Sequence, residues 1–124
     1  MKQILFILFF MPFASVSVVA QSNIKNLANK AALDIAIQNN EKVVVFFAAE
    51  WCDYCKDFLP KVEELTLIHQ EVIFFKINYD ENIDFFEKEG IKATPTTVLY
   101  KNGSKVDQMV IIETPPLKEK LDHF

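Results

Sequence analysis

Cys52 and Cys55 are the only two cysteines of this chain, and two residues separate them. They follow the continuous apolar run 43–49, which is typical of a buried strand, and precede a stretch with helical spacing over 56–69. A helix that begins here places Cys52 at its N-terminus, where free backbone N–H groups and the helix dipole favour a thiolate. Cys55 lies one turn further on, close enough to form a disulfide. This arrangement indicates reversible dithiol chemistry.

Three other interpretations of the pair explain less. A purely structural disulfide would close a very small loop, which restricts the unfolded chain little. A closed zinc site needs four Cys or His ligands, and only His69 and His123 remain. His69 lies roughly 25 Å along the predicted helix from Cys52, so the two cannot share a metal; an intermolecular or copper site stays open. A chance pair of core cysteines disagrees with the preceding Trp51 and the strand-to-helix context. We therefore expect no metal and no cofactor.

The N-terminal segment has the pattern of a secretory signal peptide. Lys2 precedes an eight-residue apolar core at 4–11, Pro12 breaks the segment, and small residues lead to Ala20. Such leaders are removed when the protein is exported. The pattern therefore predicts an exported protein, periplasmic or otherwise outside the cytoplasm.

Cleavage after the leader would divide the chain into a signal peptide at 1–20 and one domain at 21–124, a length that suits a single core. The alternative is an uncleaved membrane anchor that holds the domain outside the cytoplasm. The 17 residues from 4 to 20 fall short of the roughly 20 that a spanning helix needs. Export with cleavage is the expectation that follows.

The charge of the chain limits its partners. All 13 basic residues are Lys, and the 17 acidic residues bring the formal net charge to −4. Loss of Lys2 with the leader leaves 12 basic residues against 17 acidic ones, a charge of −5. An acidic surface without Arg speaks against nucleic acid and anionic lipid as partners. We expect a membrane contact only if the N-terminal segment is uncleaved.

The remaining sequence alternates between helix and strand signals. Apolar residues from Ile24 to Ile35 have helical spacing, so a first helix is expected there with no strand before it. Strands are predicted at 43–48, 72–77, 96–100 and 106–112, and helices at 56–69, 80–89 and from Thr114, its cap, onward. Asn102-Gly103 predicts a hairpin between the last two strands. The order predicts an α/β domain with a mixed four-stranded sheet flanked by helices.

Residues around and beyond the cysteines match a known pattern. They are Phe47, Ala49-Glu50-Trp51-Cys52, Cys55-Lys56, Pro60, Lys76, Gly90-Ile91-Lys92, Pro95-Thr96 and Lys101-Asn102-Gly103. With this set, the chain resembles the thioredoxin family over about residues 24–124. The resemblance implies a thioredoxin-like fold in which Cys52 is the attacking thiol and Cys55 the resolving thiol. It also implies a cis-proline loop at Thr94-Pro95 that faces them, with the Thr94 backbone free to pair with an extended substrate, and a contact surface that includes Trp51.

The chain departs from that family near the cysteines. Phe46 stands where the family has a buried Asp that helps to deprotonate the resolving thiol. Lys76 therefore lacks its usual partner, and Glu50 and Lys76 are the candidates for proton transfer. Asp53-Tyr54 replaces the Gly-Pro dipeptide that tunes the redox potential in the family.

The resemblance implies a thiol-disulfide oxidoreductase of the bacterial envelope that exchanges disulfides with protein substrates through a mixed disulfide on Cys52. Its partners would be protein thiols and disulfides, together with an unidentified redox partner protein. The direction is open, because reductants, oxidants and isomerases share these residues while their potentials span roughly 150 mV. The alternative is an exported thioredoxin-fold binding module whose Cys52–Cys55 disulfide stays closed.

Overall fold

A computed structural model of the protein describes residues 22–124 and Pro12. The described chain runs through β1 (Ile24–Leu27), α1 (Lys30–Asn39), β2 (Lys42–Ala48), α2 (Asp53–Ile68), β3 (Ile73–Asn78), α3 (Ile83–Lys88), β4 (Thr96–Lys101), β5 (Ser104–Val110) and α4 (Thr114–Asp122). The leader predicted at 1–20 lies, apart from Pro12, outside the described residues, so the signal peptide and its cleavage stay predictions.

The strands of the described chain form one mixed sheet in the order β1-β3-β2-β4-β5. β3 is parallel to both β1 and β2, whereas β4 is antiparallel to β2 and β5 is antiparallel to β4. Because β2 and β3 are parallel, their carboxyl ends meet at one edge, where Ala48 is the register partner of Asn78. The cysteine motif follows β2 at this edge. The predicted α/β arrangement, a mixed sheet flanked by helices, is confirmed.

The prediction of only four strands is wrong at the start of the domain. Ile24 and Leu27, which their three-residue spacing placed in a helix, lie in β1 and pair with β3. Residues three apart on a strand point to opposite faces, and here Ile24 is buried in the cluster on one face and Leu27 in the cluster on the other. The first helix begins only at Lys30, where Asn29 Oδ1 accepts the Ala32 N–H at 3.0 Å. A three-residue spacing of buried apolar residues occurs in helices and can also occur in strands, so the sequence did not indicate the fifth strand.

The sheet carries an apolar cluster on each face. Neighbouring residues of β2 point to different clusters: Val43, Val45 and Phe47 to the first, Val44 and Phe46 to the second. Helices α2 and α4 cover the second cluster with Phe58, Val62, Leu65, Leu117 and Leu121. A strand that is covered on both faces has a continuous apolar sequence, and the strand predicted at 43–48 is confirmed.

The hairpin predicted at Asn102-Gly103 is also confirmed. It joins β4 to β5, and its two turn residues have φ of 52° and 81°, as a tight hairpin turn requires. Several boundaries differ from prediction. The helix predicted at 80–89 spans only Ile83–Lys88, β5 spans Ser104–Val110, and the N-cap of α4 is Glu113 instead of Thr114. Thr114 is already helical because the prolines that follow it suit a first turn, where no N–H donor is needed.

Candidate active site

The cysteine pair lies where β2 ends and α2 begins. Cys52 is the N-cap of α2, and its Sγ accepts the backbone N–H of Cys55 at 3.1 Å. The two cysteines form a disulfide, with 5.3 Å between their Cα atoms, and both are buried. The predicted placement of Cys52 at a helix N-terminus, with Cys55 one turn further on, is confirmed. A backbone donor and the positive end of the helix both stabilise negative charge on Cys52 Sγ.

A loop before β4 closes the other side of the disulfide. The Thr94–Pro95 peptide bond is cis, as the resemblance implied. The Thr94 carbonyl oxygen lies 3.4 Å from Cys52 Sγ, and Thr94 is half-buried while Pro95 is buried. The Thr96 hydroxyl donates to the Ala93 carbonyl at 2.6 Å and holds the loop onto the strand. Residues 42 positions apart in sequence are therefore neighbours at the disulfide.

Trp51 forms an exposed surface beside the cysteines. Its side chain is 61% exposed, yet it is held in place from two directions. The indole Nε1 donates a hydrogen bond to Asp80 Oδ1 at 3.1 Å, and the ring lies edge-on to Tyr79 at 6.0 Å. Our sequence reasoning missed Tyr79 and Asp80. They directly follow β3 as the motif follows β2, so the parallel pairing of these strands was the signal that could have revealed them.

Phe46 fills the space beneath α2 with apolar atoms. It is fully buried, edge-on to Phe58 at 5.8 Å and stacked with Phe74 at 6.4 Å. Lys76 is its register partner on β3, and Thr97 is its partner on β4. None of the register partners Phe46, Lys76 and Thr97 is an acid, so these three strands supply no carboxylate at this level of the sheet.

A cleft of about 670 Å³ opens between the start of α2 and the ends of β1, β2 and β3, and Cys55 lies in its wall. Glu50 and Lys76, the predicted candidates for proton transfer, line the same cleft. Glu50 is exposed and Lys76 is half-buried. Within residues 22–124, neither forms an ion pair within 4.0 Å. The structure therefore places both residues in the wall of the cleft that Cys55 also lines, without joining them to each other.

The side chains between the cysteines face solvent. The Asp53 side chain is 95% exposed, with its carboxylate 3.9 Å from Lys56 Nζ, and Tyr54 is 62% exposed. A carboxylate in this position is screened by water and by the neighbouring ammonium group. Its repulsion of a Cys52 thiolate and its favourable interaction with the helix N-terminus are both weakened by this screening.

His69 takes part in a structural contact at the other end of α2. It is the C-cap of this 16-residue helix, which is ~24 Å long, and it is buried. Its Nδ1 lies 3.4 Å from Glu71 Oε1, and its Nε2 lies 3.3 Å from Asp122 Oδ1 at the end of α4 but forms no hydrogen bond within the described residues. In the described part of the chain, no group of three His, Cys, Asp or Glu side chains is placed to hold a metal ion. Nor does any described helix combine the length and apolar character needed to cross a membrane.

Comparisons with known proteins agree with this geometry. The family model described as Thioredoxin matches residues 23–123. Thioredoxin 1 of Plasmodium falciparum (isolate 3D7) is 37% identical over 101 residues, which cover 82% of this chain and 97% of that protein. The thioredoxin of Mycoplasmoides gallisepticum is 34% identical over 98 residues, 78% of this chain and 98% of the relative.

Solved structures give the same result. A structure of Plasmodium falciparum thioredoxin superposes with a TM-score of 0.76 at 37% identity, covering 82% of this chain and 99% of that one. Oxidised mitochondrial thioredoxin 3 of Saccharomyces cerevisiae reaches 0.78 at 28% identity, over 84% of this chain and 100% of that one. The expected thioredoxin-like fold is confirmed. Since the family match extends over nearly the whole described domain and retains both cysteines, the chain belongs to the thioredoxin family and is a thiol-disulfide oxidoreductase.

Proposed function

We propose that the protein exchanges disulfides with protein substrates through a mixed disulfide on Cys52, which Cys55 then resolves. The observation that carries this assignment is the hydrogen bond from the Cys55 N–H to Cys52 Sγ at the N-terminus of α2. A thiolate at Cys52 is stabilised there, whereas Cys55 Sγ lies a turn deeper and is 2% exposed. Cys52, the cysteine at the helix N-terminus, is therefore the better nucleophile.

In the reducing direction, the Cys52 thiolate attacks one sulfur of a substrate disulfide, and the other substrate sulfur leaves as a thiolate. Cys55 then loses its proton and attacks Cys52 Sγ, which breaks the mixed disulfide and releases the second substrate sulfur. Two electrons pass from the protein dithiol to the substrate, and solvent supplies the protons to the departing thiolates. Oxidation is the same sequence in reverse. A separate redox protein must restore the starting state in either direction.

Trp51, Thr94 and Pro95 form the proposed substrate surface. Trp51 offers an exposed ring that is already held in place, so little conformational freedom is lost when a partner covers it. Thr94 lies beside Cys52 Sγ with its backbone close to the surface, which suits the pairing of an extended segment with the loop. Protein segments around a disulfide are the substrate class that fits this surface.

Proton transfer to and from Cys55 is proposed to pass through the cleft that Glu50 and Lys76 line. Phe46 supplies no base beneath α2, and Cys55 lies in the wall of this cleft, which therefore offers the path for its proton. Glu50 is the carboxylate at its exposed side, and the Lys76 ammonium favours negative charge in the cleft.

The Cys52 and Cys55 assignments can be tested with reduced protein. Brief alkylation at mildly acidic pH, followed by peptide mapping, is expected to label Cys52 first. The Cys55→Ser variant is expected to retain substrate proteins as mixed disulfides that a reductant releases, while the matched control Cys52→Ser retains almost none. Equal labelling, or equal trapping by the two variants, would show that the cysteines do not act as attacker and resolver.

The same preparation distinguishes the enzyme from the binding module. Free thiols are titrated after equilibration at a series of glutathione ratios. An oxidoreductase is expected to change between dithiol and disulfide across the series. A pair that stays oxidised at every ratio would favour the binding module.

We propose that residues 1–20 export the domain at 21–124 to the periplasm or an equivalent compartment. The proposal is supported by the basic start, apolar core and small-residue ending of the leader. The match to the family model begins only at residue 23, beyond this segment. Expression of the full chain, followed by cell fractionation and intact mass measurement, is expected to yield periplasmic protein that begins at Gln21. An intact chain in the membrane fraction would indicate the uncleaved anchor, and an intact chain in the cytosol would contradict export.

A further inference from the structure

The Cys55 thiol must lose its proton before it can resolve a mixed disulfide, and the fold closes most directions around it. Cys55 is 2% exposed and packs with Ala48 and Ala49, whose side chains accept no proton. The remaining way out is the cleft in whose wall Cys55 lies. An ordered polar group beside the thiol in that cleft would determine how easily the proton leaves.

Asn78 is the candidate for this group, because it lines the cleft that Cys55 also lines. It is the last residue of β3. Its side-chain oxygen Oδ1 is buried and has no hydrogen-bond partner among residues 22–124. Buried acceptors are nearly always paired with a protein group or an ordered water, so an unpaired one indicates a bound water or a functional role.

Contacts on two sides fix the backbone position of Asn78. Its carbonyl oxygen accepts a hydrogen bond from Asn82 Nδ2 at 2.9 Å, and Ala48 of β2 is its register partner. The next residue, Tyr79, donates its N–H to the Ala48 carbonyl at 2.8 Å. Asn78 is thus attached to the strand that leads directly into the cysteine motif.

The cleft suits water. Its volume of about 670 Å³ holds many water molecules, and Asn26, Glu50 and Lys76 add polar groups to its wall. Its charged lining groups are Glu50 after β2, Lys56 on α2, Lys76 on β3 and Glu81 before α3. A water molecule that donates a hydrogen bond to Asn78 Oδ1 keeps its own lone pairs free to accept the proton of Cys55.

We propose that Asn78 is a positioning residue for the deprotonation of Cys55, its side-chain oxygen holding the water that receives the thiol proton. The inference rests on the proposed function, in which Cys55 resolves the mixed disulfide. The water passes the proton to Glu50 or to bulk solvent, and the Cys55 thiolate attacks Cys52 Sγ. The bond between Cys52 and the substrate sulfur breaks, and that sulfur leaves as a thiolate. Asn78 thereby compensates for the apolar side chain at position 46.

The test separates attack from resolution with 5,5′-dithiobis(2-nitrobenzoate) as the substrate disulfide. Reduced protein releases one thionitrobenzoate when Cys52 attacks and a second when Cys55 resolves, and rapid mixing from pH 6 to 9 follows both. Asn78→Leu removes the amide at similar volume. We expect resolution to slow about tenfold at pH 7, the loss expected from one hydrogen bond beside a buried group. The rate should recover as the pH rises, while attack by Cys52 is unchanged.

Asn26→Leu is the matched control, because Asn26 lines the same cleft but is exposed; both of its rates are expected to stay at wild-type values. Asn78→Asp keeps the oxygen and should resolve at least as fast as wild type at pH 7. A folded Asn78→Leu protein with an unchanged resolution profile would overturn the inference, as would an equal loss in both steps at all pH values. If Asn78→Leu does not fold, slow resolution by Asn78→Asp overturns it. Normal release of the second thionitrobenzoate by Cys55→Ser would instead contradict the proposed function itself.

Discussion

Phe46 and Lys76 are register partners in the parallel pair of β2 and β3, so an apolar ring stands beside the amine-bearing residue under the active-site helix. The ring is fully buried against Phe58 and Phe74. In the family that this chain resembles, an Asp at this position serves the resolving cysteine. Here the same volume contributes to the core, and the path that we propose for the Cys55 proton is the cleft lined by Glu50 and Lys76.

Phe46→Asp tests the effect of replacing the buried ring at position 46 with a carboxylate. We expect the free energy of unfolding to fall by about 4 kcal/mol or more, because a large core side chain is lost and a carboxylate is buried. Resolution at pH 7 should become faster, because the carboxylate can accept the Cys55 proton. Urea unfolding and the thionitrobenzoate assay measure the two effects. The control Phe46→Leu should lose about 1–2 kcal/mol without any gain in rate; a folded Asp variant with an unchanged rate would show that the cleft already suffices.

Asp80→Ala should weaken substrate binding through Trp51. Without the acceptor of its indole N–H, Trp51 loses its fixed orientation beside Cys52. We expect KM for reduction of a protein disulfide to rise about threefold, with little change in stability because both side chains are exposed. Steady-state kinetics provides the measurement, and the small disulfide 5,5′-dithiobis(2-nitrobenzoate) should react as before. Asp84→Ala, another exposed acid nearby in sequence, is the control. An unchanged KM would show that Trp51 is not part of the substrate surface.

Thr97→Val should stabilise the fold. Thr97 is fully buried, and its hydroxyl has no hydrogen-bond partner in the described part of the chain. Replacing an unpaired buried hydroxyl with a methyl group of the same shape is expected to raise the free energy of unfolding by about 1 kcal/mol. Thr96→Val is the matched control: Thr96 is equally buried, but its hydroxyl donates to Ala93, so a loss of about 1–2 kcal/mol is expected. Destabilisation by Thr97→Val in urea unfolding would mean that its hydroxyl has a bound partner.

Asp107→Asn should reveal a pH-dependent contact between β5 and α4. Lys120 Nζ lies 2.9 Å from Asp107 Oδ2, and this hydrogen bond, aided by the Gln108 backbone N–H, lowers the pKa of Asp107 from its usual value. A carboxyl group whose pKa is lowered by folding stabilises the fold at pH values above the ordinary Asp pKa of about 3.9. This contribution is lost as the pH falls through the lowered pKa of the folded state.

The Asp107→Asn substitution is therefore expected to lower Tm by about 1–3 °C at pH 7. The difference from wild type should disappear as the pH falls through the lowered pKa of Asp107. Thermal unfolding monitored by circular dichroism at several pH values measures it. Asp57→Asn is the control, because Asp57 is exposed, lies beyond the first turn of α2 and forms no ion pair within 4.0 Å in residues 22–124. It should leave Tm unchanged over the same pH range. A constant difference at every pH would mean that the Asp107 charge is not what stabilises the contact.

Much of the site could be predicted from short stretches of sequence. The apolar run into Cys52, the helix that starts there and the Asn102-Gly103 turn depend on local periodicity and turn chemistry. The resemblance to the thioredoxin family added Thr94-Pro95, which lies against Cys52 as expected. Glu50 and Lys76 were placed near Cys55 by the same resemblance, and they do line its cleft.

The sequence by itself thus determined the dithiol motif, its position at a helix N-terminus and the hairpin, since each depends on residues close together in the chain. Only the tertiary structure decided that Ile24–Leu27 forms a fifth strand, that Trp51 bonds to Asp80 and that Asn78 shares a cleft with Cys55. These relationships arise where β3 pairs in parallel with β1 and β2, which brings strand ends that are distant in sequence to one edge. Local periodicity is the same whichever strand lies alongside, so it contains no information about that pairing.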